Sequence, residues 1–345
     1  MRIAQLTDKG VEKLVNEDSL FTSSWEFRCE AGIERYELLI VADGIGGAAA
    51  GDLASGEVIS VMVETITRAF CACYREPRSE PCGRDLGWLL RSALELANLR
   101  LYRIAEANPG FKGMGATVVA ALAHGDTLHV AHVGDCRLYR LREGVLQRLT
   151  KDHSLVQLMV DQGKISPEEA FRHPNDNLIL RAVGPSETVV IEVHRHDHRE
   201  GDVLFLASDG AVSDLPVEHL LQLCRRLGES PSEETLQRFC RALLKGAIDP
   251  TLGATLDNLS VVAACVDRLV PCVERHRCQV LPYGEPLPVD RETVRALGPT
   301  LPYGVDLPDY RLYGTPAPAW PLEAVRPDPD TSQPLLTAPD EARPC

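Results

Sequence analysis

Apolar residues follow two different periods along the first part of the chain, and each period predicts a different element. Short apolar runs are typical of buried strands, and six are predicted, at 37–42, 116–123, 127–133, 137–141, 203–207 and 260–266. Two longer segments, 59–70 and 86–104, repeat their apolar residues every three or four positions. That spacing predicts amphipathic helices.

The order of these elements favours antiparallel hairpins over a doubly wound sheet, because neighbouring predicted strands are separated by short turns. The two long amphipathic helices need a sheet face on which to bury their apolar sides. The pattern therefore predicts an α+β fold of layered sheets flanked by helices. It leaves the strand topology open.

Proline divides the chain into two regions. Of the 24 prolines, 15 lie from Pro271 onward. Proline at that density blocks helix interiors and the hydrogen-bonded ladders of sheets. We therefore expect a folded domain at residues 1–268 and a proline-rich, largely irregular tail at residues 269–345.

Charge and cysteine content exclude several function classes. The formal net charge is −14, so we expect no nucleic-acid partner, because the chain would repel a phosphate backbone. No secretory signal and no apolar run of bilayer length is visible, which predicts a cytoplasmic protein without a membrane partner. The 11 cysteines form no C-x-x-C pair, so neither a disulfide framework nor a zinc ribbon is expected.

Acidic residues recur where predicted strands begin or end. They are Glu17 and Asp18, Asp43 before Gly44, Asp135, Asp209 and Asp257. A single Asp-Gly pair is more often an Asx turn than a ligand. Several such sites in one domain favour hard oxygen ligands for Mg²⁺ or Mn²⁺.

A series of short motifs extends over nearly all of residues 1–268. Their order is T-D-x-G, N-E-D, D-G-x-G-G, G-A-T, G-D-x-R, D-H-S, S-D-G and D-N. In this order they resemble the bacterial members of the metal-dependent protein serine/threonine phosphatases, the protein phosphatase 2C type. The resemblance implies a four-layer α-β-β-α sandwich, in which two antiparallel sheets are flanked by helices. It also implies two Mn²⁺ or Mg²⁺ ions, and a third, weaker one.

The resemblance assigns a role to each acidic residue. Asp43 would bridge the two ions, and Asp209 and Asp257 would complete the shell of the first. Glu17 and the backbone carbonyl of Gly44 would hold the second ion.

Three further positions complete the implied site. Asp18 would orient a metal-bound water, and Asp135 would hold the third ion together with Asp209. Lys13 stands where the family usually has an arginine that binds the substrate phosphate. A lysine is a point charge, so we expect weaker and less directional phosphate binding, and Arg35 is an alternative partner.

The implied reaction is hydrolysis of phosphoserine and phosphothreonine in proteins by a metal-bridged hydroxide. The partner would be a phosphoprotein, a Ser/Thr kinase or one of its targets. Two alternatives stay open: a catalytically weak relative that binds phosphoproteins as an adaptor, and an enzyme for small phosphomonoesters.

Two other features have two interpretations each. His194, His196 and His198 alternate, so on a strand they would share a face, either as a transition-metal site or, more often, as a solvated edge. Residues 151–177 resemble the family's flap beside the active site, and could equally be a short helical excursion on the surface.

Overall fold

The computed structural model describes residues 1–29, 32–46, 50–75, 85–171, 173–267 and 269. Almost all of the predicted proline-rich tail, residues 269–345, lies outside the described residues. No helix within the described ranges is both long enough and apolar enough to cross a membrane.

The described strands are β1 (Arg2–Asp8), β2 (Asp18–Cys29), β3 (Gly32–Ile45), β4 (Gly115–His124), β5 (Thr127–Val133), β6 (Arg137–Arg142), β7 (Val145–Arg148), β8 (Glu192–Asp197), β9 (Val203–Ala207) and β10 (Leu259–Cys265). The helices are α1 (Gly51–Arg75), α2 (Leu86–Ala107), α3 (Leu155–Asp161), α4 (Pro167–Ala170), α5 (Asp209–Val212), α6 (Val217–Arg225) and α7 (Glu233–Ala247). A short 3₁₀ helix at Pro109–Phe111 follows α2.

The strands form two five-stranded sheets, with the orders β1-β10-β9-β6-β7 and β2-β3-β4-β5-β8. Within each sheet, every pair of neighbouring strands is antiparallel. The six strands predicted from the sequence are the six inner strands. The four that sequence patterning missed, β1, β2, β7 and β8, are the four edges, where one long side of the strand has no neighbour in its sheet.

Three apolar cores separate four layers. One core packs α1 and α2 against β3 and β4, through side chains such as Leu38, Ile66 and Leu90. A second, which contains Leu39 and Leu206, fills the space between the two sheets. The third packs α5, α6 and α7 against the other sheet. The predicted four-layer α-β-β-α sandwich is therefore confirmed.

Both predicted helices are present, within α1 and α2. The helix α2 begins at Asp85, whose side chain accepts hydrogen bonds from the backbone N–H groups of Gly87 and Trp88. Sequence patterning missed α6 and α7, although α7 buries Leu236, Phe239, Leu243 and Ala247 at helical spacing.

Candidate active site

Strand alternation aims two of the predicted acidic side chains at the space between the sheets. On β3, Asp43 follows Leu39 and Val41, which belong to the core between the sheets, and successive side chains of a strand alternate between its faces. Asp18 on β2 lies directly opposite Asp43 in the register. The two carboxylates therefore share one face at the end of this sheet.

The other sheet brings its acidic residues to the same place. Asp209 begins α5 directly after β9, and Asp257 lies just before β10. Hydrogen bonds join the two sheet ends: the Ser208 hydroxyl donates to Asp18 Oδ2 at 2.8 Å, and the Glu17 N–H donates to Asn258 Oδ1 at 2.9 Å. Residues far apart in sequence thus meet in one acidic centre.

Burial and mutual repulsion raise the pKa values of the buried aspartates in this centre. Burial, with the charges of Asp209 and Asp18, raises the pKa of Asp43 well above its ordinary value. Burial and the charge of Asp209 do the same to the pKa of Asp135. Burial raises the pKa of Asp18 to about 7, although hydrogen bonds from serine side chains lower it. The centre therefore gains stability from any cation that binds there.

Several carboxylate oxygens of this centre have no hydrogen-bond donor in the described part of the chain and could bind a cation. Glu17 Oε1, Asp18 Oδ1 and Asp135 Oδ1 are buried, and no hydrogen-bond donor among the described residues reaches them. A buried charged oxygen without a partner is costly. Hard divalent cations with oxygen ligands would offset that cost, so these residues suit Mg²⁺ or Mn²⁺.

Two glycines allow Glu17 to approach this centre. A Cβ atom at Gly51, the first residue of α1, would lie 2.4 Å from Glu17 Oε1. A Cβ atom at Gly44 would lie 2.0 Å from the carbonyl oxygen of Gly51. Gly44 was predicted from the sequence, but Gly51 was missed, because nothing near it in the chain indicates that Glu17 packs against it.

Lys13 lies on the rim of the centre, where it pairs with two predicted metal ligands. Its Nζ lies 2.7 Å from Asp257 Oδ1 and 3.6 Å from Glu17 Oε2. Burial lowers the pKa of Lys13, but the hydrogen bond and charge of Asp257 and the charge of Glu17 outweigh burial and raise it. The lysine is thus a fixed cation, and its side chain is 38% exposed.

Two residues hold the centre together although their motifs alone do not predict this role: Ser208 and Asn258. Ser208, in S-D-G, accepts a hydrogen bond from the Ser260 N–H at 2.9 Å while it donates to Asp18. Asn258, in D-N, donates to the carbonyls of Lys9 and Val15. These bonds fix the segment that carries Lys13 and Glu17 onto β10.

The G-D-x-R and D-H-S motifs meet as a buried ion pair. Arg137 Nη2 lies 2.8 Å from Asp152 Oδ2. Burial raises the pKa of Asp152, but the charges of Arg137 and Arg148, together with the hydrogen bond from Arg137, outweigh burial and lower it. The segment that starts here contains α3 and α4, so residues 151–177 do include a helical excursion; a role as a substrate flap stays a prediction.

Most free cysteines in the described residues are poorly placed for thiolate chemistry; the exception in exposure is Cys71, which lies on the surface. Cys136, Cys224, Cys240 and Cys265 are buried and free. Burial raises the pKa of the Cys136 thiol well above its ordinary value, which disfavours a thiolate.

The three alternating histidines do not form one cluster. His194 and His196 lie on β8, but His198 lies beyond its end, and its Nε2 is 2.8 Å from the carbonyl oxygen of Gly125. In the described part of the chain, the set of three side chains whose ligand atoms lie within 4.8 Å of one another is His132, Glu192 and His194. No three acidic side chains in the described residues meet that spacing, and ions that keep several waters do not require it.

Comparison with known proteins agrees with this arrangement. Residues 11–249 match the family profile described as protein phosphatase 2C. The chain is 35% identical over 269 residues to the serine/threonine protein phosphatase PstP of Mycobacterium tuberculosis, which covers 77% of this chain and 45% of that protein. It therefore spans less than half the length of that relative.

Two further relatives cover more of their own length. The serine/threonine phosphatase stp of Listeria monocytogenes is 33% identical over 228 residues, which is 65% of this chain and 84% of that protein. A crystal structure of the catalytic domain of PstP in complex with two manganese ions superposes with a TM-score of 0.60 at 33% identity, and covers 77% of this chain and 98% of that one. With its sandwich, its order of motifs and these matches, the chain belongs to the protein phosphatase 2C family.

Proposed function

We propose that this chain hydrolyses phosphoserine and phosphothreonine in proteins, with two Mn²⁺ or Mg²⁺ ions. The observation that carries the proposal is the meeting of Asp18, Asp43, Asp209 and Asp257 at one end of both sheets. Buried carboxylate oxygens of Glu17, Asp18 and Asp135 lack donors among the described residues. Membership of the protein phosphatase 2C family supports it, as do the names of the relatives.

The residues that would hold the ions follow the family pattern. Asp43 would contact both ions, Asp209 and Asp257 the first, and Glu17 with the carbonyl of Gly44 the second. Asp135, whose Oδ1 is buried without a donor, would share a third ion with Asp209. When bound, a pair of divalent cations supplies a hydroxide nucleophile at neutral pH and offsets negative charge on the phosphate oxygens.

The protein's own side chains would position the reactants. Ser208 donates to Asp18 Oδ2, which leaves Asp18 Oδ1 free to accept a hydrogen bond from the attacking water. Lys13 would contact a phosphate oxygen from the rim of the centre.

The physiological substrate would be a phosphoprotein of a signalling pathway, and the opposing enzyme a Ser/Thr kinase in the cytoplasm. One observation favours the adaptor alternative: Lys13 is paired with Asp257 and Glu17, so its charge is already partly neutralised. A phosphoprotein-binding relative would bind phosphopeptide without hydrolysing it.

Metal add-back tests the proposal. Metal-stripped protein is mixed with a phosphothreonine peptide, and released phosphate is measured before and after addition of Mn²⁺ or Mg²⁺. We expect turnover only with the metal, and slower turnover of a small aryl phosphate. Peptide binding without turnover, in folded protein that binds both metals, would replace the proposal with the adaptor; faster turnover of the aryl phosphate would favour small esters.

We also propose that residues 1–268 form the complete catalytic domain. The cores described above draw their buried side chains from Ala4 to Cys265. A chain that ends at residue 268 should therefore keep its melting temperature, and its kcat should stay within about twofold of that of the full chain. Aggregation or loss of activity would show that the proline-rich region contributes to the fold.

A further inference from the structure

A second group of ligand-type side chains lies on β5, on β8 and in the loop between β7 and α3, and it shares no residue with the acidic centre. We call His132, His153, Glu192 and His194 the histidine cluster. His132 lies opposite Glu192 in the β5–β8 register, and His194 lies two residues further along β8. Side chains two residues apart on a strand share a face, so these positions face one another across the two strands.

The Glu192 carboxylate divides its two oxygens between different partners. Its Oε1 lies 3.0 Å from His153 Nε2 and 3.3 Å from Arg181 Nη1. Its Oε2 lies 3.4 Å from His194 Nε2 and 3.9 Å from His132 Nε2. One oxygen is therefore held in place, while the other faces two imidazole rings.

One hydrogen bond and one close contact with a carboxylate make His153 an orienting residue. Its Nδ1 accepts from the Gly134 N–H at 3.0 Å. A neutral ring with a proton acceptor at Nδ1 carries its proton on Nε2, which faces Glu192. A partner of this kind fixes a ligating carboxylate in many metal sites.

His132 supplies a buried nitrogen without a partner. Its ring is fully buried, and Nε2 lies 2.9 Å from the carbonyl oxygen of Lys151. Its Nδ1 is also buried, and no hydrogen-bond partner among the described residues reaches it. Burial, with the neighbouring His153, lowers the pKa of His132 to about 4, so the ring is neutral at physiological pH. Metals bind neutral imidazole.

We propose that His132, Glu192 and His194 form a second metal site, selective for a transition-metal ion of the Zn²⁺ type. One ligand atom from each lies within 4.8 Å of those of the other two. Two imidazole nitrogens and one carboxylate oxygen are a zinc donor set, whereas Mg²⁺ prefers oxygen alone. The side chains of Glu192 and His194 are 33% and 39% exposed, which gives the ion a path from solvent.

The position of the site lets a bound ion stabilise the packing of an edge strand. His132 contacts the Lys151 carbonyl and His153 contacts Gly134, so the cluster lies where the 151–177 segment leaves the sandwich. An ion here would fasten the edge strand β8 to β5 beside the start of that segment.

The test measures metal binding to the full chain with Co²⁺, whose visible absorption is strong in sites of low coordination number and weak in octahedral oxygen sites. Metal-stripped protein is titrated with Co²⁺ in excess Mg²⁺, which occupies the acidic centre. We expect one tightly bound Co²⁺ per chain with strong absorption, displaced by Zn²⁺. The Asp43→Asn variant should keep this signal, which separates the site from the phosphatase centre.

Two substitutions should remove the site, and a third serves as the matched control. His194→Ala and Glu192→Gln should weaken Co²⁺ binding by about 100-fold or more, with unchanged circular dichroism. His196→Ala, two residues further along the same strand face, should bind like the natural sequence. Equal binding by His194→Ala and His196→Ala, or no Co²⁺ bound in excess Mg²⁺, would overturn the proposal.

Discussion

The acidic centre and the histidine cluster both gather ligand-type side chains, but their charges are organised in opposite ways. In the acidic centre, burial and neighbouring carboxylates raise the pKa values of Asp43 and Asp135. In the histidine cluster, hydrogen bonds from His153 and His194 lower the pKa of Glu192, and burial lowers that of His132 to about 4.

This difference shows which group depends on added charge. Like charges buried together need counter-cations, so the acidic centre is incomplete as a purely protein structure. A single carboxylate among imidazoles is already satisfied, so a metal there adds to a stable arrangement. Donor type then separates the ions, because all-oxygen sites suit Mg²⁺ and Mn²⁺ while imidazoles suit Zn²⁺.

The largest effect is expected from removing the central charge of the acidic group. Asp43→Asn keeps the shape of the side chain but would weaken ligation of both proposed ions, so kcat on a phosphothreonine peptide should fall by about 10³-fold or more. The exposed Asp126→Asn is the matched control. Full activity of Asp43→Asn would refute the two-metal assignment.

A steric change tests whether Glu17 needs its close approach to α1. Gly51→Ala would place a methyl group 2.4 Å from Glu17 Oε1, so the carboxylate must move. We expect the Mn²⁺ concentration for half-maximal activity to rise by about 10- to 100-fold. Gly56→Ala on the same helix is the control, because a Cβ atom there has nothing within 4 Å. If both variants need the same Mn²⁺ concentration, Glu17 does not set metal affinity.

Repulsion between the buried carboxylates should make the stability of the metal-free protein depend on pH. The pKa of Asp18 is raised to about 7, so the folded state binds more protons than the unfolded state. The associated stability is present below about pH 4 and is lost as pH rises through 7. Asp18→Asn should therefore raise the free energy of unfolding at pH 8 by about 4 kcal/mol, and change it little near pH 4.

Urea unfolding with EDTA at both pH values measures this effect, and excess Mn²⁺ should abolish the gain. For His132, whose pKa is lowered to about 4, the sign reverses: stability is lost as pH falls from about 6.5 to 4. A variant Asp18→Asn that is less stable than the natural sequence at pH 8 without metal would contradict the repulsion.

The smallest effect concerns the cation on the rim. Lys13→Arg would present a planar fork to phosphate, so KM for the phosphothreonine peptide should fall by about threefold at unchanged kcat. Lys13→Ala should raise KM by a similar factor or more. Lys9→Arg is the control for a lysine-to-arginine change outside the proposed phosphate contact. An unchanged KM in Lys13→Ala would leave that lysine only its ion pairs with Asp257 and Glu17.

The two sites also differ in how far the sequence reveals them. Asp43, Asp135, Asp209 and Asp257 stand at the ends of inner strands, and Glu17 and Asp18 stand at the start of the edge strand β2. All of them lie in local sequence contexts, such as Asp-Gly and Asn-Glu-Asp, that can be read along the chain. The histidine cluster joins His132 on an inner strand to Glu192 and His194 on an edge strand. Only the β5–β8 register places them together, and register is fixed by pairing rather than by local pattern.

By itself, the sequence determined the six inner strands and the two long helices, and it predicted the acidic ligand types, because buried apolar periodicity and strand-end carboxylates are local signals. The tertiary structure decided the four edge strands, the contact of Gly51 with Glu17, the pairing of Lys13 with Asp257 and the partners of the histidines. An edge strand has a weaker apolar signal, and contacts between distant residues depend on which surfaces pack together. Neither property is recorded in neighbouring residues.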